Sequence, residues 1–96
     1  MNREQILQAL AQCKPTLVSR FGVVGLALFG STARATARPD SDIDVLVSFD
    51  GPATSQRYFG VQFFLEDLFG RRVDLVTDKA LRAELRPHVE REAVHV

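Results

Sequence analysis

Residues 28–47 read LFGSTARATARPDSDIDVLV. An apolar run, Val23 to Phe29, leads into this stretch and is bounded by glycines. A continuous run of that kind fits a strand covered on both faces. Ile43 to Phe49, rich in Val and Ile, reads as a second strand. Between them Gly30 to Arg38 is expected to form a turn with a short helix, and Pro39-Asp40-Ser41 a further turn. The residues with chemical potential sit where these strands meet their connection.

On the N-terminal side, Ile6, Leu10, Cys13, Leu17 and Phe21 recur at three- or four-residue steps, which predicts an amphipathic helix. Asn2 suits its N-cap and Gly22 its C-cap. Pro15 removes a backbone donor, so a kink or a restart is expected there. On the C-terminal side, Asp50-Gly51-Pro52 breaks the second strand. Thr54 or Ser55 then caps a long helix with Val61, Phe64, Leu65 and Leu68 as its buried stripe. Gly60 lies inside that helix, at a cost of about 1 kcal/mol against Ala, and Gly70 ends it. Arg72 to Val76 reads as a third strand. Leu81, Leu85 and Val89 mark a last helix interrupted by Pro87, and Ala93 to Val96 a short edge strand. Helices alternating with strands in this order predict an α/β (α+β) fold, a small sheet with helices packed on it.

The 96 residues make room for one domain, 1–96, with one core. Lys plus Arg equals Asp plus Glu at 12 each, so no global charge draws the chain to nucleic acid or to an acidic membrane. One cysteine, Cys13, excludes an internal disulfide, and zinc-ligand spacing is absent. No stretch has the length of a membrane span, and no secretory signal is visible. The chain is therefore read as complete and cytoplasmic.

Three features carry chemistry. Gly30-Ser31 follows a buried strand directly; glycine admits close approach of a phosphate to the backbone, and the amides of a following helix favour anions. Taken alone, a Gly-Ser pair is a turn in most proteins. Asp42 and Asp44 sit at i and i+2, which puts both carboxylates on one strand face about 7 Å apart at the backbone. Such hard oxygen ligands suit Mg²⁺ and repel each other without a cation; taken alone, the pair also fits a solvated acidic turn. Asp74 interrupts the apolar run Val73-Asp74-Leu75-Val76. It either pairs with Arg71, Arg72 or Arg34 or converges with the other two aspartates, as in sites that hold two metals about 3.5–4 Å apart. Arg34 and Arg38 flank the loop, as phosphate contacts or as solvated charges. His88 and His95 have no ligand-spaced neighbours and are assigned to the surface.

Together, LALFGS, ARPDSDIDVLV, GRRVDLVT and REAVHV resemble the MNT (minimal nucleotidyltransferase) group of the DNA polymerase β nucleotidyltransferase superfamily, over nearly the whole chain. The resemblance implies a mixed sheet flanked by helices that binds ATP and Mg²⁺ at the sheet end. It implies triphosphate contacts from Gly30 and Ser31, with Arg34 beside them, and metal binding by Asp42 and Asp44. Asp74 corresponds to the third carboxylate, which shares the metal and helps deprotonate the acceptor hydroxyl. One residue departs from the pattern: Ala35 stands where the family usually has glycine, which puts nucleotide affinity in question. MNT proteins are often antitoxin partners of HEPN-domain RNase toxins. The implied activity is transfer of AMP from ATP to a hydroxyl, expected to be a tyrosine, of a HEPN-type toxin. The alternative is an antitoxin that neutralises its partner by complex formation alone. With neither a basic stripe nor an extra domain, no direct nucleic-acid binding is expected.

Overall fold

The structure, a computed structural model, describes residues 2–34 and 41–96. Helix α1 (Arg3–Phe21) opens with a capping box. Asn2 Oδ1 accepts from the Gln5 amide at 2.9 Å, and Gln5 Oε1 accepts from the Asn2 amide at 3.0 Å. Gly22, at φ +73°, ends the helix in the left-handed conformation. The restart expected at Pro15 does not occur: α1 is assigned as one helix through that residue. Pro15 and Ala11 both lie on the exposed side, where water can take up the carbonyl that loses its partner.

Strand β1 (Val23–Phe29) leads into the four-residue helix α2 (Gly30–Ala33). Strand β2 (Ile43–Phe49) pairs antiparallel with β1, Phe29 opposite Asp44 and Leu26 opposite Val47. Helix α3 (Ser55–Phe69), capped by the Thr54 side chain and ended by Gly70, makes the crossover that a parallel pair requires. It delivers β3 (Val73–Thr77) beside β2, with Asp44 opposite Asp74. A short 3-10 turn (Asp78–Ala80) and helix α4 (Arg86–Glu92) follow. The two-residue strand β4 (Val94–His95) pairs antiparallel with β1. The sheet order is β3-β2-β1-β4, so β3 and β4 are its edges.

The mixed, helix-flanked sheet agrees with the expected fold class. Ile6, Leu10 and Leu17 of α1 and Val61 and Leu65 of α3 pack into one core with Leu26, Leu28, Val45, Val47, Val73 and Leu75. Each fully buried aliphatic side chain contributes about 1.5–3 kcal/mol. Gly60 has a packing reason: a Cβ there would come within 2.3 Å of the Phe21 ring, so its absence lets the end of α1 close on α3. Two details correct the sequence reading. The stripe of α3 runs Val61, Leu65, Phe69 in steps of four, leaving Leu68 about half exposed and Phe64 partly buried. Pro87 stands in the first turn of α4, where its missing amide costs nothing, and does not interrupt a helix begun at Leu81. No helix among the described residues is long and apolar enough to cross a membrane.

Candidate active site

Alternation along β2 sends Ile43, Val45 and Val47 into the core and Asp44 to the other face of the sheet. Asp42, exposed, precedes the strand by one residue. The parallel register sets Asp74 beside Asp44, so both carboxylates leave the same face at adjacent positions, with backbones about 4.8 Å apart. They interact directly. Burial first, then the charge of Asp74, a hydrogen bond with Asp74 and the charge of Asp42 push the Asp44 carboxyl up to about 6; Arg34 opposes the shift.

Gly30 closes the site on the β1 side. It lies where β1 ends against the start of β2, at φ +71°, and a Cβ on it would fall 2.3 Å from Asp44 Oδ2. Both the backbone conformation and the space demand glycine. Ser31 follows in the single turn of α2, where Thr32 and Ala33 are buried and anchor the turn. Arg3 Nε donates to the Ala33 carbonyl at 2.8 Å and ties this turn to α1.

Of the residues singled out in the sequence, Gly30, Asp44 and Asp74 are brought together, with Asp42 within range of their charge. Among the described residues no three carboxylate, imidazole or thiolate groups already stand close enough to grip a metal ion. Arg34 stands at the end of α2 and pairs with Glu92 of α4 at 2.8 Å. The described ion pairs include none between Asp74 and Arg34, Arg71 or Arg72. Ala35, Arg38 and the turn at Pro39-Asp40 lie outside the described residues. Two contacts escaped the sequence reading. Arg71 donates to the Ser41 carbonyl and holds the backbone just before Asp42. Glu92 engages Arg34 from 58 residues away in sequence. Neither has a local signal, because an arginine or a glutamate in a polar segment looks like any solvated charge.

The sequence pattern of the nucleotidyltransferase domain family matches residues 10–95. The chain belongs to that family. This nucleotidyltransferase is 39% identical over 93 residues to "Protein adenylyltransferase MntA" of Thermococcus cleftensis, covering 97% of this chain and 94% of the relative. It superposes with a TM-score of 0.83 on a solved structure assigned to a minimal nucleotidyltransferase, at 40% identity, covering 98% of this chain and 95% of that one. The same fold recurs, at a TM-score of 0.61 and 20% identity, in a tri-AMPylated HEPN toxin–MNT antitoxin complex from Shewanella oneidensis, covering 98% of this chain and 67% of that one. The fold expected from the sequence is thus that of the minimal nucleotidyltransferases, and the chain is an enzyme domain of that class.

Proposed function

We propose that this nucleotidyltransferase moves AMP from ATP onto a hydroxyl, a tyrosine, of a HEPN-type toxin and thereby neutralises it. The observation that carries the reading is the Asp44–Asp74 pair on one sheet face with Gly30 packed against it. The donor set fits Mg²⁺: hard carboxylate oxygens, with the Asp44 carboxyl raised to about 6 by burial and then by its crowding against Asp74. Asp42, Asp44 and Asp74 would hold the ion, which when bound supplies Lewis-acid polarisation of the phosphate and neutralises charge on the leaving pyrophosphate.

The protein's own groups account for the rest. Gly30 and Ser31 receive the triphosphate on their backbone amides, with no Cβ at Gly30 in the way. Arg34, exposed at the rim and tied to Glu92, meets the outer phosphates. Asp74 stands on the edge strand β3, across Asp44 from Gly30 and β1. It takes the proton of the acceptor hydroxyl as that oxygen bonds to the α-phosphorus and the bond to pyrophosphate breaks. The antitoxin role is supported by likeness to a protein adenylyltransferase and to an MNT antitoxin bound to an AMPylated toxin.

Mass spectrometry of the partner after co-expression tests the reading. The expected result is added AMP, absent or reduced by about 10²–10⁴-fold in rate for Asp74→Asn, which should still bind Mg²⁺-ATP. A partner that stays bound but unmodified would establish the binding-only antitoxin instead. Full transfer by Asp74→Asn rules out its role as base.

A further inference from the structure

The strand that carries Asp74 is an edge strand. Its inner side bonds to β2, beginning with the Ile43 amide donating to the Arg72 carbonyl at 3.0 Å. In a parallel ladder the bonded residues of one strand alternate, so Arg72 and Asp74 turn their backbone groups inward while Val73 and Leu75 turn theirs outward. An outward row of this kind normally meets solvent or another strand. Here it meets side chains of α3. Glu66 Oε2 accepts from the Val73 amide at 3.0 Å, Gln62 Nε2 donates to the Val73 carbonyl at 3.3 Å, and the Tyr58 hydroxyl donates to the Leu75 carbonyl.

Residues 58, 62 and 66 are spaced by four and share one helix face. The adjoining stripe, Val61 and Leu65, is fully buried, so the helix that carries the three side chains is fixed to the core. The three bonds bracket Asp74: they engage both backbone groups of the residue before it and the carbonyl of the residue after it. The Tyr58 phenol also feels the carboxylate, whose charge adds to burial in raising its pKa.

We infer that Tyr58, Gln62 and Glu66 are positioning residues for Asp74, substituting for the missing neighbour strand and holding the Asp74 backbone in its place beside Asp44. The inference rests on the reading of Asp74 as the base. A proton acceptor displaced by about 1 Å loses much of its rate. An edge strand bonded on one side only has that freedom, whereas the outer ladder removes it. Sealing the edge against other chains is the competing role, and it makes a different prediction: stability or oligomeric state changes, turnover does not.

The test uses the complete chain with its co-purified partner as acceptor and α-labelled ATP. Tyr58→Phe and Glu66→Ala should each lower kcat about tenfold while the KM for ATP stays within twofold of the parent. Glu66→Gln keeps an acceptor oxygen for the Val73 amide and should restore most of the rate. In an Asp74→Asn background the same changes should have no further effect on the residual rate, since the positioned group is already gone. Lower melting temperatures with unchanged kcat in Tyr58→Phe and Glu66→Ala would reduce the ladder to edge protection and overturn the inference alone. A rise in KM for ATP at constant kcat would also overturn it. A parent chain that neither labels its partner nor binds Mn²⁺ overturns the functional reading and this inference with it.

Discussion

Gly30 and Asp44 share one small space: a Cβ on Gly30 would lie 2.3 Å from Asp44 Oδ2. The turn that follows β1 and the carboxylate at the start of β2 therefore lean on each other with nothing between them. Glycine is required twice here, for the φ of +71° and for the room. Gly70 needs only the first: at φ +63°, a Cβ there meets nothing within 4 Å.

That contrast makes a prediction. Gly70→Ala should cost about 1–2 kcal/mol, the backbone penalty alone, and keep the stabilisation that Mg²⁺-ATP confers. Gly30→Ala should cost at least as much and abolish that stabilisation, because the new methyl pushes the Asp44 carboxylate aside. Thermal melts of both variants with and without Mg²⁺-ATP give the answer. A normal ligand shift in Gly30→Ala would mean that Asp44 moves freely and that the close contact is incidental.

The raised Asp44 carboxyl makes stability depend on pH in an unusual direction. Its ordinary value of 3.8 rises to about 6 in the folded chain, so the folded state binds this proton more tightly than the unfolded state. The contribution of Asp44 to stability is therefore fully present below about pH 4 and is lost as pH rises through 6. Burial drives this first, then the charge of Asp74, its hydrogen bond with Asp44 and the charge of Asp42, while Arg34 opposes it. The quantity to measure is thus the difference between parent and Asp44→Asn in urea unfolding, in EDTA, at pH 5 and 7.5. The variant should gain more over the parent at pH 7.5 than at pH 5. An equal difference at both values would show that the carboxyl is not shifted.

Asp42 is exposed and carries no fold-supporting hydrogen bond among the described residues. Asp42→Asn should leave the metal-free protein as stable as the parent or slightly more stable, since it removes a charge that disfavours an ionised Asp44. At ligand concentrations near a hundred times the dissociation constant, Mg²⁺-ATP should stabilise the parent by about 2.7 kcal/mol and the variant by far less. An unchanged shift in the variant would remove Asp42 from the metal site.

Phe59 and Phe63 stand on the outer side of α3, their rings stacked at 6.0 Å and 48% and 63% exposed. Replacing either with Ser should change stability by no more than about 0.5 kcal/mol, as for surface positions generally. If partner docking buries them, as the aromatic content of interfaces suggests, the double substitution should weaken complex formation at least tenfold in a titration of purified partner. Unaltered affinity would move the docking surface elsewhere.

What the sequence determined by itself was local. Asn2 and Gly22 cap α1 because capping depends on a few neighbouring residues and on one backbone angle. Ile43 to Phe49 forms β2 because β-branched residues in alternation suit a pleated surface. The same alternation placed Asp42 and Asp44 opposite Ile43, and a Gly-Ser pair beyond an apolar run signalled the turn at Gly30. Tertiary structure decided everything that joins distant segments. The parallel register that sets Asp44 beside Asp74, thirty residues on, follows from how α3 docks its stripe on the sheet. The phase of that stripe, with Phe69 buried and Leu68 outside, was likewise chosen by the surface it meets rather than by the helix. Tyr58, Gln62 and Glu66 have the spacing of an ordinary solvated face; only the unpaired edge of β3 beside them turns them into a ladder. Periodicity is a property of neighbouring residues, whereas register, phase and contact depend on what is buried against what, and that is settled only when the whole core closes.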